Sequence, residues 1–397
     1  MLWILDKISF KLVIDMKKIY IEAIPLVEPR PSGVGHSLAG LAAALATHND
    51  LPYEIVLVAP KRALHELDKW PKLKQCSRKG MPVRMKILNG LIKYHLLPRV
   101  DWLVGRGVYI FGNFKNWPLS DSSKSITFIH DICYALHPEF VSPANQRFLE
   151  NNIPYFMKRT NIIVTVSKQS KQEICSYYKL SPERVAVVYN GVDLAAYHKI
   201  SGAQVARVKK QYHIDKPYFI YIGNIEPRKN LTRLIKAFSD MDGARMGKIA
   251  LVLVGGSGWL NEDTNQLIDE QIKHGIHIIR PAKYVADEDV RVLISDAIAL
   301  VQPSIHEGFS MPPLEALAAG TLAAVSNIPV HTEILGNNAS YFDPYSEQSI
   351  KLALSAILNL RSEKIAERKK NGISRSHLFS WENSANQLVE VIKMIDA

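Results

Sequence analysis

The sequence predicts an α/β protein of two doubly wound parallel-sheet domains facing a central cleft. Three observations carry that prediction. From Lys18 onward, short apolar runs rich in Val, Ile and Tyr alternate with longer helical stretches, which is the signature of βαβ units and hence of parallel sheets. The pattern breaks once, at the turn Asn190-Gly191-Val192-Asp193 and the polar stretch His198–Lys216, and then starts again. A chain of 397 residues also suits two to three domains at ~150 residues each. Two such domains in tandem gather the carboxyl ends of both sets of strands around one crevice, where open α/β sheets take their ligands.

In the first half, Ile19–Ala23, Glu54–Ala59, Val108–Phe111, Ile126–Ile129, Ile162–Val166 and Val185–Val188 are expected strands, with helices over Leu38–Ala46, Asn145–Lys158 and Lys168–Tyr178. In the second half the expected strands are Tyr218–Ile222, Ala250–Val254, Ile276–Ile279, Ala299–Val301 and Leu322–Ser326. The organisation read from this is an extension over residues 1–15, a first domain over 16–195, a second over 196–378 and a terminal helix over 379–397. Residues 1–15 lack the charge-first, unbroken apolar order of a secretory signal. Two readings stay open for them: an over-extended start upstream of Met16, or a short helix lying on a membrane.

Composition narrows the class. With 47% apolar and 22% charged residues, the chain can bury large cores, which excludes disorder and fibrous repeats. Cys76, Cys133 and Cys175 are widely spaced with no CxxC, so neither a disulfide framework nor a zinc site is supported, and a cytosolic protein is expected. No uninterrupted apolar run reaches the ~18 residues of a spanning helix. A formal charge of +11 calls for an anionic partner.

The chemistry is expected where strands end. After the first strand comes Pro29-Arg30-Pro31-Ser32-Gly33-Val34-Gly35-His36, with a helix expected from near Ser37; Gly33 and Gly35 would let the backbone approach an anion at that helix N-terminus. The strand Ile126–Ile129 delivers His130-Asp131, a histidine able to donate to a substrate beside an aspartate able to orient it. Tyr218–Ile222 ends in Gly223-Asn224, followed by Arg228-Lys229-Asn230 at a helix start, where a guanidinium fork and an ammonium suit a diphosphate. Ala250–Val254 ends in Gly255-Gly256-Ser257-Gly258, a second turn able to approach a nucleotide. The strongest segment runs from Ala299 to Gly320. In it Glu307 follows a strand, Pro312-Pro313 suits a helix start, and Glu315 falls in the first turn. One carboxylate can face a sugar while the other accepts from ribose hydroxyls, with the N–H groups near Ser310 and Met311 aimed at phosphate.

This ordered set, covering nearly everything from Met16 onward, resembles the retaining glycosyltransferases of family 4, whose fold is GT-B with two Rossmann-like domains. The resemblance implies that Glu307 contacts the donor sugar, with His130 beside the transferred sugar, and that Glu315 binds the ribose. It further implies that Arg228 and Lys229 neutralise the diphosphate, that Gly33, Gly35 and Gly223 approach the nucleotide, and that Ser310 and Met311 supply backbone phosphate contacts. The terminal helix around Trp381–Ile395 resembles the family segment that crosses back to the first domain. Phe128-Ile129-His130-Asp131 followed by Pro138-Glu139 is similar to bacterial mannosyltransferases of polysaccharide and O-antigen assembly, which favours GDP-mannose over UDP-hexose or dTDP-rhamnose. No cofactor and no metal are expected, since two cations can hold the diphosphate; the Asp240-Met241-Asp242 triplet reads as a solvated helix end.

The positive excess lies mainly between Lys61 and Arg99, interleaved with Leu64, Leu67, Trp70, Leu73, Ile87, Leu88 and Tyr94. Such a mixture suits an anionic membrane surface, and equally a solvated helical face beside a core stripe. A polyprenyl-diphosphate-linked glycan acceptor would reconcile it with the enzyme, at the inner face of the cytoplasmic membrane. Nucleic acid is not expected, because no binding motif accompanies the charge. The alternatives are a GT-B-like epimerase or phosphorylase, or an inactive carbohydrate-binding scaffold.

Overall fold

The computed structural model describes residues 17–29, 32–49, 51–197, 200–256, 258–282 and 284–396. The expectations for residues 1–15, Arg30, Pro31 and Ser257 fall outside them. The first sheet comprises β1 (Lys17–Glu22), β2 (Tyr53–Pro60), β3 (Ser77–Met81), β4 (Val108–Phe111), β5 (Lys124–Phe128), β6 (Ile162–Thr165) and β7 (Val185–Val187), in the order β3-β2-β1-β4-β5-β6-β7. The second comprises β8 (Tyr218–Ile222), β9 (Ala250–Val254), β10 (Ile278–Ile279), β11 (Ala299–Gln302), β12 (Leu322–Ser326) and β13 (Ser340–Phe342), in the order β10-β9-β8-β11-β12-β13. Every pairing is parallel. Strand order reverses between β1 and β4 and between β8 and β11, which opens a crevice at the carboxyl end of each sheet.

Alternation assigns the two faces of the first sheet. Ile19, Ile21, Ile55, Leu57, Val108 and Ile110 pack under the helix Gly33–Ala46, whereas Tyr20, Val56, Val58, Tyr109 and Phe111 pack on the opposite side with Leu88, Ile92, Val100, Val104 and Phe156. The first of those faces is completed by the last helix of the chain, Trp381–Asp396, which buries Ala385, Leu388, Val389, Val391 and Ile392 there. Close approach is enforced by two glycines. A Cβ on Gly40 would lie 2.2 Å from the Trp381 indole, and one on Gly191 would lie 2.3 Å from the Trp381 nitrogen. Val192 N–H donates to the Phe379 carbonyl at 2.8 Å, and Lys17 pairs with Asp396 at 2.7 Å.

The structure corrects several expectations. The helix expected near Ser37 begins at Gly33, so Gly33 and Gly35 form its first turn rather than a loop before it. The polar stretch before Lys216 contains the helix Gly202–Gln211, whose start is fixed by a reciprocal Ser201–Gln204 capping box. β3 lies inside the basic stretch and carries exposed Ser77, Arg78 and Lys79 on a sheet edge, where charge blunts pairing with other chains. That stretch is also not a uniform surface, since Leu67, Trp70, Leu73, Met81, Leu88 and Ile92 are core side chains. Among the described residues, no helix is long and apolar enough to cross a membrane.

Candidate active site

Because β8 and β11 are neighbours at the switch point, the loops that follow them meet, and Ile305 N–H donates to the Arg228 carbonyl at 2.9 Å. The Glu307 carboxylate sits in this junction with 6% of its side chain exposed. One oxygen accepts from Arg228 at 2.6 Å; the other accepts from Lys229 at 2.6 Å, Ser304 Oγ at 2.7 Å and Gln302 Nε2 at 3.1 Å. Arg228 also donates to the His306 carbonyl at 2.8 Å and to Glu226 at 2.8 Å. Burial alone would push the Glu307 carboxyl up, but Arg228 and Lys229 hold it well below the usual carboxylate range. Burial lowers the Lys229 ammonium, with Arg228 adding to the effect and Glu307 opposing it. Glu226, Arg228, Lys229 and Glu307 thus form a cluster of two buried acids and two half-buried cations, with donors left over on both cations.

Ser310 is a non-glycine residue in the left-handed region, at φ 73°, immediately before the helix Met311–Ala318. A conformation of that kind costs on the order of 1–3 kcal/mol and is found mainly where function demands it. Pro312 and Pro313 have no N–H, so the amides of Ser310 and Met311 are left at the open end of the helix. The Ser310 hydroxyl is buried without a hydrogen-bond partner among the described residues. Glu315 stands apart from Glu307, facing Asp287 and Arg291 of the helix Asp287–Asp296. Burial pushes its carboxyl up to about 7, with Asp287 adding and Arg291 opposing.

The first domain closes the other wall. A Cβ on Gly308 would lie 2.5 Å from the His130 carbonyl oxygen, so the Glu307 loop lies directly against the end of β5. The His130 ring is held by Gly112, not by Asp131: its Nε2–H donates to the Gly112 carbonyl at 2.9 Å, while Asp131 accepts from Cys133 N–H at 3.0 Å and shapes the next turn. Burial lowers the His130 pKa, and the neutral ring that donates through Nε2 keeps Nδ1 as an acceptor. His36, one residue beyond Gly35, reaches Asp287 at 3.6 Å, so the Gly33–Gly35 turn faces the helix that borders Glu315. Gly223 and Gly255 both adopt positive φ, and a Cβ on Gly255 would lie 2.0 Å from the Gly223 carbonyl oxygen. Gly255 is therefore needed for packing against the Gly223 turn, and Gly223 to clear the Tyr221 hydroxyl, 2.6 Å from where its Cβ would lie. Asp240 ends a helix and pairs with Lys351 at 2.5 Å.

Sequence reasoning passed over several residues of this cleft. Gln302 and Ser304 sit within five positions of Glu307 and could have been read as its partners. No local signal marks the others. His306 pairs with Glu173 of the first domain at 3.2 Å; burial alone would lower this imidazole, yet Glu173 and Asp131 hold it above the ordinary histidine value. Glu333 of the second domain accepts from the N–H groups of Lys168 and Gln169 at 2.7 and 3.1 Å, capping a first-domain helix. Lys72 lies close enough to Asp193, Arg291 and Asp287 to feel their charge.

Residues 31–196 match the family model described as Glycosyltransferase Family 4, and residues 204–375 match the one described as Glycosyl transferases group 1. The chain is 30% identical over 270 residues to the O-antigen chain mannosyltransferase RfbU of Salmonella typhimurium, which spans 65% of this chain and 69% of that protein. The chain belongs to glycosyltransferase family 4. This family 4 glycosyltransferase is also 29% identical over 274 residues to O-antigen chain mannosyltransferase B of Escherichia coli, covering 68% of this chain and 71% of that protein. Its two sheets form the GT-B fold. The structure of Anabaena HepE in complex with UDP and glucose matches it with a TM-score of 0.73, over 96% of this chain and 100% of that one, at 16% identity. WaaG, a glycosyltransferase involved in lipopolysaccharide biosynthesis, matches with a TM-score of 0.66 over 94% and 99% of the two chains, at 15% identity.

Proposed function

We propose that this glycosyltransferase moves a mannosyl residue from GDP-mannose to a growing, lipid-linked glycan in polysaccharide synthesis, with retention at the anomeric carbon, on the cytoplasmic side of a membrane. The observation that carries this reading is the half-buried pair of cations, Arg228 and Lys229, held on Glu307 at the switch point between β8 and β11. Cleaving a sugar–diphosphate bond leaves negative charge on the departing nucleotide. Pre-set cations and helix-end amides stabilise that charge without reorganising, and removing one such donor typically costs ~10²–10³ in rate. In the reaction, the bond from the anomeric carbon to the phosphate oxygen breaks as the acceptor oxygen attacks from the same face, and the acceptor proton passes to the leaving phosphate. Arg228, Lys229 and the amides of Ser310 and Met311 hold the diphosphate, so no metal is required. Glu307 contacts the sugar, His130 borders it, and Glu315 accepts from the ribose hydroxyls across from Gly33 and Gly35.

Mannose is supported by the likeness to the two O-antigen mannosyltransferases. An acceptor in the first domain is supported by a cavity of about 440 Å³ at the carboxyl ends of β1 and β2, whose lining includes Glu28, Arg62, His65, Met85 and Asn89.

Saturation-transfer NMR with GDP-mannose, UDP-glucose, UDP-GlcNAc and dTDP-rhamnose tests the reading. GDP-mannose should bind selectively, and Glu315→Ala and Arg228→Ala should each weaken it ~10-fold or more, consistent with lost charge-assisted hydrogen bonds. If no nucleotide sugar binds, the transferase reading fails and a scaffold without activity becomes the better account.

The carboxyl of Glu315, raised to about 7, gives a pH signature. Donor affinity is expected to rise with pH through about 7 as the carboxylate forms, and Glu315→Gln to remove that dependence. Stability should move the other way. The folded state holds this proton between ~4.3, the ordinary glutamate value, and about 7, so stability falls as pH rises through that window. Above it, Glu315→Gln should unfold at higher temperature than the wild type.

A further inference from the structure

The segment that follows β3 places large apolar side chains in solvent. Ile87 (54% exposed), Tyr94 (66%), Leu96 (69%), Trp102 (67%) and Leu103 (63%) fall within 17 residues of chain. They share one side of the molecule. Leu88, Ile92, Val100 and Val104, from the same helices Met85–Lys93 and Asp101–Val104 and the turn between them, enter one core on the sheet face opposite the terminal helix. The five exposed residues lie on the outer side of that layer. The turn itself promotes this exposure: His95 adopts φ 57°, Leu96 N–H returns to the Leu91 carbonyl at 2.8 Å, and the Leu96 side chain is left in water. Exposed apolar side chains concentrated in this way mark an interaction site.

Charge identifies the occupant. From Lys69 to Ser120 the sequence holds 11 Lys and Arg and a single acid, Asp101. Asp101 is 2% exposed, and its carboxylate is taken up by the Ser120 amide at 2.9 Å and the Ser123 hydroxyl at 2.9 Å, so it offers nothing to solvent. The same stretch of chain carries Arg84, Lys86, Lys93, Arg99 and Arg106, none of which forms an ion pair with a described residue. Lys93 lies over the Tyr94 ring at 5.4 Å and Arg99 over the Trp102 indole at 5.5 Å, an arrangement in which aromatic and cation can enter a headgroup layer together. A protein partner of matching acidity would satisfy the cations but would need its own apolar pockets. An anionic lipid surface satisfies both at once.

We infer that Ile87, Tyr94, Leu96, Trp102 and Leu103, together with Arg84, Lys86, Lys93, Arg99 and Arg106, dock the first domain on an anionic membrane surface. The inference goes beyond the transfer reaction and does not depend on the identity of the donor. It also gives the helix Met85–Lys93 two duties. Met85 and Asn89 line the cavity at the ends of β1 and β2, while Ile87 points to the lipid side, so a membrane-borne acceptor would meet the cavity at the docking surface.

The test is binding of the purified full chain to vesicles of phosphatidylcholine with and without phosphatidylglycerol. Binding should need the anionic lipid and weaken as salt is raised. Bromine-labelled lipid should quench tryptophan fluorescence, and Trp102→Phe should remove that component. Two surface variants, Tyr94→Ser/Trp102→Ser/Leu103→Ser and Lys86→Glu/Lys93→Glu/Arg99→Glu, should each lower vesicle affinity ~10-fold or more while leaving nucleotide-sugar binding by NMR unchanged. That second readout separates failure of docking from failure of the donor site. Unchanged vesicle binding in both variants, as residues 1–16 acting alone would give, overturns the inference. So does equal binding to pure phosphatidylcholine, or a dimer of the wild type that the apolar variant dissociates.

Discussion

Glu307→Ala should abolish transfer and destabilise the second domain together. The substitution leaves Arg228 and Lys229 facing each other without the carboxylate between them, and breaking a buried ion cluster by removing one member costs ~3–5 kcal/mol because a charge is left uncompensated. Rate should fall by at least ~10²-fold, since the two cations lose the geometry that receives a diphosphate. Lys229 makes its ion pair with Glu307 alone among the described residues, so Glu307→Ala/Lys229→Met should recover part of the stability and none of the activity. Urea unfolding and single-turnover transfer measure the two effects separately. If the double variant is no more stable than Glu307→Ala, the stranded ammonium is not the source of the loss. The carboxyl also predicts an acid response. Its folded pKa lies well below its unfolded value, so its contribution is complete above ~4.3 and is lost as pH falls through the folded value. Between ~4.3 and that point the wild type should lose stability more steeply than Glu307→Gln.

The second large effect is expected far from the cleft. Leu388 is fully buried against the first sheet, and Leu388→Ala should cost the first domain ~2–5 kcal/mol while leaving the unfolding transition of the second domain in place. Ending the chain at Ser380 should be far worse. It strips Leu388, Val389, Val391 and Ile392 from the core, a loss on the order of 6–12 kcal/mol at ~1.5–3 kcal/mol per large side chain. Whole domains are stable by only ~5–15 kcal/mol, so the first domain should not fold in that variant. Hydrogen exchange resolved by domain would show it: β1, β2 and β4 lose protection while β8, β9 and β11 keep theirs. Native protection in both sheets would mean that the helix is an accessory rather than part of the core.

Most strands were legible because parallel sheets are buried on both faces and so read as continuous apolar runs: Val108–Phe111, Tyr218–Ile222, Ala250–Val254 and Leu322–Ser326 carry the expected bounds. β3 and β13 were not legible, being sheet-edge strands, one with Arg78 and Lys79 exposed and the other only three residues long. Within the cleft, Arg228, Lys229 and Glu307 come together because each follows one of two strands that the switch in order makes neighbours. The orientation of His130 had no such local origin. Its partner is a backbone carbonyl, Gly112, which carries no side-chain signal, so the adjacent Asp131 drew the assignment instead. The company of Glu315 was equally hidden, since Asp287 and Arg291 come from a separate helix, more than twenty positions earlier in the chain.

The crossing helix also has a consequence in time. Its residues are synthesised long after the sheet they cover, which ends at Val187. At ~5–20 residues per second, the ribosome needs roughly 10–40 s to travel from the end of that sheet to the helix. Through that interval one face of the nascent first sheet is covered only in part, by the helix Gly33–Ala46, while the second domain is being made and gains Ile350, Leu354 and Ile357 of its core before the crossing helix emerges. Maturation therefore runs from the second domain to the first, and the nascent chain has most need of a chaperone on the half that left the ribosome earliest.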